Sequence, residues 1–167
     1  MNANKINPFN IKWSVTPIVT LFSLQGLAVN SPANTSDNVL ASYSFDPDLF
    51  INQGTELIIK AHWTLANTAL NKTPGIVYGA TTVFAVASAT PNINFFTETR
   101  IRNMDDNNLL YYNFYIQGST SFGSQKGTLL NTAGTKVISA KGQSDNGAAA
   151  DLQLNAFSIQ LANYGGF

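Results

Sequence analysis

Residues 55–73 read TELIIKAHWTLANTALNKT, and the first eleven of them decide the fold class. Leu57, Ile59, Ala61, Trp63 and Leu65 fall on odd positions; Glu56, Lys60, His62 and Thr64 fall on even ones, with Ile58 the exception. Successive side chains of a strand point to opposite faces, so this is a strand with one side on a core and the other toward water. Upstream, VLASYSF sets Val39, Ala41, Tyr43 and Phe45 against Leu40, Ser42 and Ser44. The turn formers of DPDLFINQG lie between the two runs, which predicts an antiparallel pair of neighbouring strands.

The same period continues downstream. VYGATTVFAVAS is β-branched and aromatic, and INFFTETRIR puts Ile93, Phe95 and Ile101 opposite Phe96, Glu98, Arg100 and Arg102. LLYYNFYIQ, GTLL, TKVISAK and LQLNAFSIQLANY complete the set, with glycines punctuating the last third. No stretch sustains a 3.6-residue period and no repeat is visible. Many short strands separated by turn signals predict an all-β, two-layer antiparallel sandwich.

Composition narrows the function. The 167 residues carry nine basic and nine acidic side chains, and only 11% are charged. A nucleic-acid binder needs clustered Lys and Arg to neutralise phosphates, so nucleic acid is not an expected partner. No cysteine is present, which removes disulfides, thiolate metal sites and thiol nucleophiles. The start, MNANKINPFN, lacks a signal-peptide layout, and SVTPIVTLFSLQGLAV is too broken by Pro17 and Gln25 to cross a bilayer. No membrane insertion is expected, and synthesis in a cytoplasm is.

Chemistry is sparse. The single histidine, His62, reads as a surface strand residue, since a zinc site takes three or four N or S ligands and no nucleophile motif accompanies it. The pairs Asp105/Asp106 and Asp46/Asp48 sit among turn residues, although paired carboxylates also cleave glycosides. No phosphate-binding glycine loop or nucleophile elbow occurs. Sequons stand at Asn34 and Asn71. The expectation is a protein that is not an enzyme, with no catalytic residue, no metal and no cofactor, working through shape and surface.

One run departs from the wet-and-dry pattern. In LLYYNFYI, Leu109, Tyr111 and Tyr115 point one way, and Leu110, Tyr112, Phe114 and Ile116 point the other. A strand apolar on both faces must be covered on both. The second cover is either a loop or N-terminal arm of the same chain, or another subunit. Leu109, Tyr111 and Tyr115 are the expected subunit-interface residues.

The stretch SYSFDPDLFINQGTELIIKAHWTLANTALNKT resembles the β-sandwich module of phage tail-fibre, head-fibre and spike proteins. Tyr43, Phe45, Gly54, Leu57, Ile59, Ala61, Thr64, Ala66, Asn71, Lys72 and Thr73 match that module's pattern without a gap. IVYG and the closing LQLNAFSIQLANY resemble its later strands. Trp63 stands where the module carries a small glycine, His62 where its tryptophan sits, and Pro47 is displaced by one. The resemblance covers residues 37–164 and is densest from 42 to 73.

It implies a jelly-roll-like sandwich assembling as a homotrimer on a virion: a fibre, spike or capsid decoration that contributes to host-surface attachment. Partners would be sister copies, a capsid or tail protein, and a host-surface glycan or protein. It divides the chain into residues 1–36, a virion anchor (Phe9, Ile11, Trp13) or the first strands, and a sandwich at 37–167. Receptor contacts fall to loops at 67–72 (Asn67, Asn71, Lys72), 105–108 (Asp105, Asp106) and 119–125 (Ser121, Phe122). The alternatives are a glycan-binding or glycan-cleaving sandwich protein, and a capsid cement protein without a receptor.

Overall fold

The computed structural model describes residues 18–46, 54–66, 68–90, 92–104, 108–119, 121–130, 135–145 and 147–163. These form ten strands and, among the described residues, no helix. They are β1 (Ile18–Asn30), β2 (Asn38–Phe45), β3 (Thr55–Leu65), β4 (Lys72–Tyr78), β5 (Thr81–Ala85), β6 (Ile93–Asn103), β7 (Asn108–Gln117), β8 (Ser121–Leu130), β9 (Lys136–Ser144) and β10 (Leu152–Asn163). All pairings are antiparallel. A six-stranded sheet runs β1-β10-β3-β6-β7-β8, and a four-stranded sheet runs β2-β9-β4-β5. The two pack face to face into a β-sandwich-like fold.

The core lies between them and mostly uses one parity of each strand; in β10 a bulge between Leu154 and Ala156 switches the inward parity. β3 supplies Leu57, Ile59, Ala61, Trp63 and Leu65, as its alternation predicts; β6 supplies Phe95 and Ile101; β10 supplies Leu152, Leu154, Phe157 and Ile159. From the smaller sheet come Phe45, Ile76, Tyr78, Phe84, Ile138 and Ala140. Trp63 meets Phe84 across the gap at 6.3 Å between ring centroids, and Phe95 edge-on at the same separation.

Several expectations are corrected. β2 and β3 are not hydrogen-bonded neighbours: β2 pairs with β9 in the small sheet, β3 with β10 and β6 in the large one. The chain crosses between layers there, so the turn formers mark a crossover rather than a hairpin. VYGATTVFAVAS is a hairpin, β4 and β5 joined at Gly79 and Ala80, and Gly79 takes the left-handed φ of 61° that such a turn needs. In β2 a register shift between Val39 and Ala41 turns Leu40 inward and leaves Val39 exposed. SFGSQ, expected as loop, is the first half of β8. β1 falls in the segment read as an anchor or the first strands, and it is an edge strand of the large sheet on β10; Phe9, Ile11 and Trp13 lie outside the described residues.

Leu109, Tyr111 and Tyr115 also need correction. Leu109 is fully buried, and both tyrosines pack on the core, Tyr115 stacked on Phe95 at 5.5 Å. Register explains it: Tyr111 lies opposite Ile101 and Tyr115 opposite Thr97, both on the inward row of β6. These rings continue over β8, where Gly127 pairs with Tyr111 and Gly123 with Tyr115. A Cβ at Gly123 would come within 2.1 Å of the Tyr115 ring, and one at Gly127 within 2.4 Å of the Tyr111 hydroxyl. Glycine makes room for the rings, which in turn cover its bare backbone.

Polar tethers pin the β7–β8 hairpin to the small sheet. Buried Asn113 donates Nδ2 to the Val83 carbonyl at 2.5 Å, and Gln117 donates Nε2 to Ser88 Oγ and, at 3.1 Å, Thr90 Oγ1. Tyr78 is a different case. Its buried hydroxyl meets no hydrogen-bond partner, and desolvation pushes its pKa up to about 12 from 10.0. A raised folded-state pKa contributes stability that is whole below pH 10 and is lost as pH climbs through 12. The two-unit gap corresponds to about 3 kcal/mol. Denaturant titrations from pH 9 to 12 should therefore fall more steeply for the wild type than for Tyr78→Phe; parallel curves would remove this residue from alkaline unfolding.

Candidate functional site: the outer face of the six-stranded sheet

The outward parity of β3, β6, β7 and β10 forms rows across the large sheet. One row reads Gln25, Ala156, His62, Phe96, Ile116; the next reads Ser23, Ser158, Lys60, Glu98, Phe114. Small side chains on β10 make a low floor, and large ones on β6 and β7 make a wall. The result is a groove of about 440 Å³. Its wall is exposed: Phe114 by 55%, Phe96 by 45% and Ile116 by 43%.

His62 lies flat on Phe96, with ring centroids 4.1 Å apart and planes 8° from parallel. Direct opposition of residues 62 and 96 in the β3–β6 register produces that stack. The His62 Nε2 is 3.4 Å from Asn94 Oδ1, which also accepts from Thr64 Oγ1 at 3.1 Å. Asn155 Nδ2 donates to that threonine at 2.7 Å. The imidazole is thus a flat wall element beside an amide oxygen, and among the described residues no carboxylate is hydrogen-bonded to it.

Acid and base pair at the centre of this face, while Arg102 and Lys126 stand on its outward rows as further cations. Lys60 sits 3.5 Å from Glu98, Arg100 Nε donates to Glu98 at 2.5 Å, and Arg100 Nη1 donates to Glu56 at 3.4 Å. Tyr112 donates its hydroxyl to Glu56 at 3.0 Å. Desolvation works against the Arg100 charge, but the hydrogen bond and charge of Glu98, with Glu56 behind, outweigh it and hold the guanidinium above its ordinary pKa. Burial, then the Glu56 hydrogen bond, raises Tyr112. Glu56 was expected on the wet face, yet only 3% of it is exposed. Its partners on β6 and β7 cover it, so the Glu56 end of the expected wet face is a packed polar layer.

The expected receptor residues do not converge. Asn71 is exposed at the end of the sandwich where loops are cross-bonded: Asp145 N donates to Asn71 O, Asn92 N to Ala66 O, Gly118 N to Asn94 O, and Ala150 N to Ser31 O. Ser121 and Phe122 begin β8 at this same end. Lys72 is also there but wholly buried, its Nζ donating to the carbonyls of Thr68 at 2.6 Å and Leu70 at 3.0 Å. It ties the β3–β4 connection down and is not open to a receptor, which corrects the expectation. Asn67, Asp105 and Asp106 lie outside the described residues. The residues flanking 105–107 are at the opposite end, where Met104 N donates to Asn108 O.

Sequence reading missed the groove. Its signal was present in the strand run with large residues on both parities, but which parity faced outward depended on pairing with β6. Among the described residues no cluster of His, Asp and Glu could hold a metal ion, and no helix could cross a membrane. No protein-family model matches the chain, and no curated protein matches it.

Proposed function

We propose that the chain is a bacteriophage virion structural protein, a fibre, spike or capsid decoration, that assembles as a homotrimer and contributes to host-surface attachment. The observation that carries this reading is the outer face of β6 and β7, which leaves Phe96, Phe114 and Ile116 exposed on a lone chain. Apolar clusters of this kind are sites of association.

The strand order supports it. β1-β10-β3-β6 in one sheet and β2-β9-β4-β5 in the other fit the two interleaved Greek keys of an eight-stranded jelly roll, an architecture common in capsid and lectin domains. The β7–β8 hairpin then widens the first sheet beyond its fourth strand. The cross-bonded loops around Asn71 form a firm platform, and recognition residues commonly ride on loops held by a rigid scaffold. Three such platforms on one trimer would raise avidity by about 10² or more over a single weak site.

Light scattering behind size exclusion tests the assembly, and the same purified sample tests attachment. Three copies of the 18.0 kDa chain give about 54 kDa, and that species should compete with virions for adsorption. A mass of 18.0 kDa overturns the trimer. A trimer that leaves adsorption unchanged keeps a cement role and removes the receptor.

A further inference from the structure

Resting on the homotrimer reading, we propose that its contact is head to tail: the Phe114–Ile116 ridge of one copy seats in the groove above Ala156 and Ser158 of the next. Ridge and hollow share one sheet face, separated by β3 and β6. The face thus holds both halves of a ridge-into-groove contact, and a second copy is the partner that supplies the missing halves. When each copy offers its ridge to the next and accepts one from the last, the contact is heterologous, and the three-fold rotation of the trimer closes it into a ring.

Charge and size favour that occupant over others. Lys60 is paired with Glu98 inside the groove, and Arg100 with Glu98 and Glu56 beside it. A nucleic acid or acidic peptide finds only a paired lysine in the groove, since Arg102 and Lys126 on the same face lie outside its lining, whereas a like copy brings an apolar ridge. Five inter-strand spacings of ~4.8 Å by eight residues of ~3.3 Å give the face a projected area of roughly 600 Å². Specific interfaces bury about 800 Å² of accessible surface per partner, and a ring asks each copy for two of them, so this face supplies the centre of each contact and not its whole area.

Absence of cysteine makes the test clean. Ile116 and Ser158 stand on strands three steps apart, roughly 14 Å, too far for a disulfide within one chain. The variants Ile116→Cys/Ser158→Cys and Ile116→Cys/Ala156→Cys cover both rows of the groove floor. After mild oxidation of the assembled protein, at least one should run as a covalent trimer of about 54 kDa on a denaturing, non-reducing gel. Each single variant should stay at 18.0 kDa. Circular dichroism and light scattering before oxidation verify that the variants are folded and assembled.

Trimers that give no cross-link in either variant overturn the ridge-in-groove contact and leave the trimer reading standing. Cross-linking that stops at the dimer replaces the ring with a two-fold contact. A wild-type monomer in light scattering defeats the homotrimer and this contact with it.

Discussion

Lys72→Ala should cost the folded state about 3–5 kcal/mol, the range seen when one partner of a buried charged network is removed. At roughly 2–4 °C per kcal/mol for a chain of this size, the melting temperature should drop by about 6–20 °C. Three losses combine. The carbonyls of Thr68 and Leu70 lose their shared donor, and orphaned buried acceptors cost about 1–3 kcal/mol each at most. Asp151, buried and held by Ser144 Oγ at 2.6 Å, loses the nearby cation. The methylene stem leaves a hole in a fully enclosed position.

Lys72→Met separates these losses. It refills the volume but supplies no donor, so it should fall between wild type and Lys72→Ala. Desolvation sets the Lys72 pKa below 10.5, with Asp151 pulling the other way. The folded state therefore binds fewer protons than the unfolded one just below pH 10.5, and this group's contribution rises with pH there. That rise should vanish in Lys72→Met. A receptor-contact lysine would behave in the opposite manner, with unchanged melting and weakened adsorption. Equal thermal stability for all three proteins would return Lys72 to the surface.

Architecture was legible wherever one parity of a strand was apolar and the other polar. β6 follows its alternation almost residue by residue, and β3 does so from Ile59 onward. What alternation could not supply was pairing. Two strands joined by a turn-rich loop look alike in sequence whether they share a sheet or cross between sheets, and β2 and β3 cross. β8 was hidden for another reason: glycine is a turn signal unless a ring from the next strand needs its space, as Tyr115 needs Gly123 and Tyr111 needs Gly127.

The site was half legible. β7 announced a second covered face, but the inward side turned out to hold a polar residue, Asn113, because the Val83 carbonyl accepts its hydrogen bond. Counting apolar side chains therefore favoured neither parity correctly. Lys72 misled in the same way, since a cation next to an asparagine in an amide-rich run reads as solvated until the folded chain brings carbonyls around it. Both errors concern polar groups satisfied by backbone distant in sequence, and local pattern carries no trace of that.

Trp63→Ala should be as damaging as the lysine change, for an apolar reason. The indole is fully buried and touches both layers, with Phe95 beside it in its own sheet and Phe84 in the other. Truncating a core aromatic to alanine costs about 3–5 kcal/mol through lost transfer energy and an unfilled cavity. Against the 5–15 kcal/mol by which domains are commonly stable, this removes between about a fifth and all of it. Trp63→Phe tests whether ring contact is the cause. It retains an aromatic face for Phe84 and Phe95 and discards the indole N–H, which meets no acceptor in the core. Relief of that buried donor offsets part of the lost area and the smaller cavity, so Trp63→Phe should cost clearly less than Trp63→Ala. Urea titrations followed by circular dichroism measure both. An alanine variant as stable as the parent would mean that Trp63 does not join the sheets, and the sandwich core would have to be drawn without it.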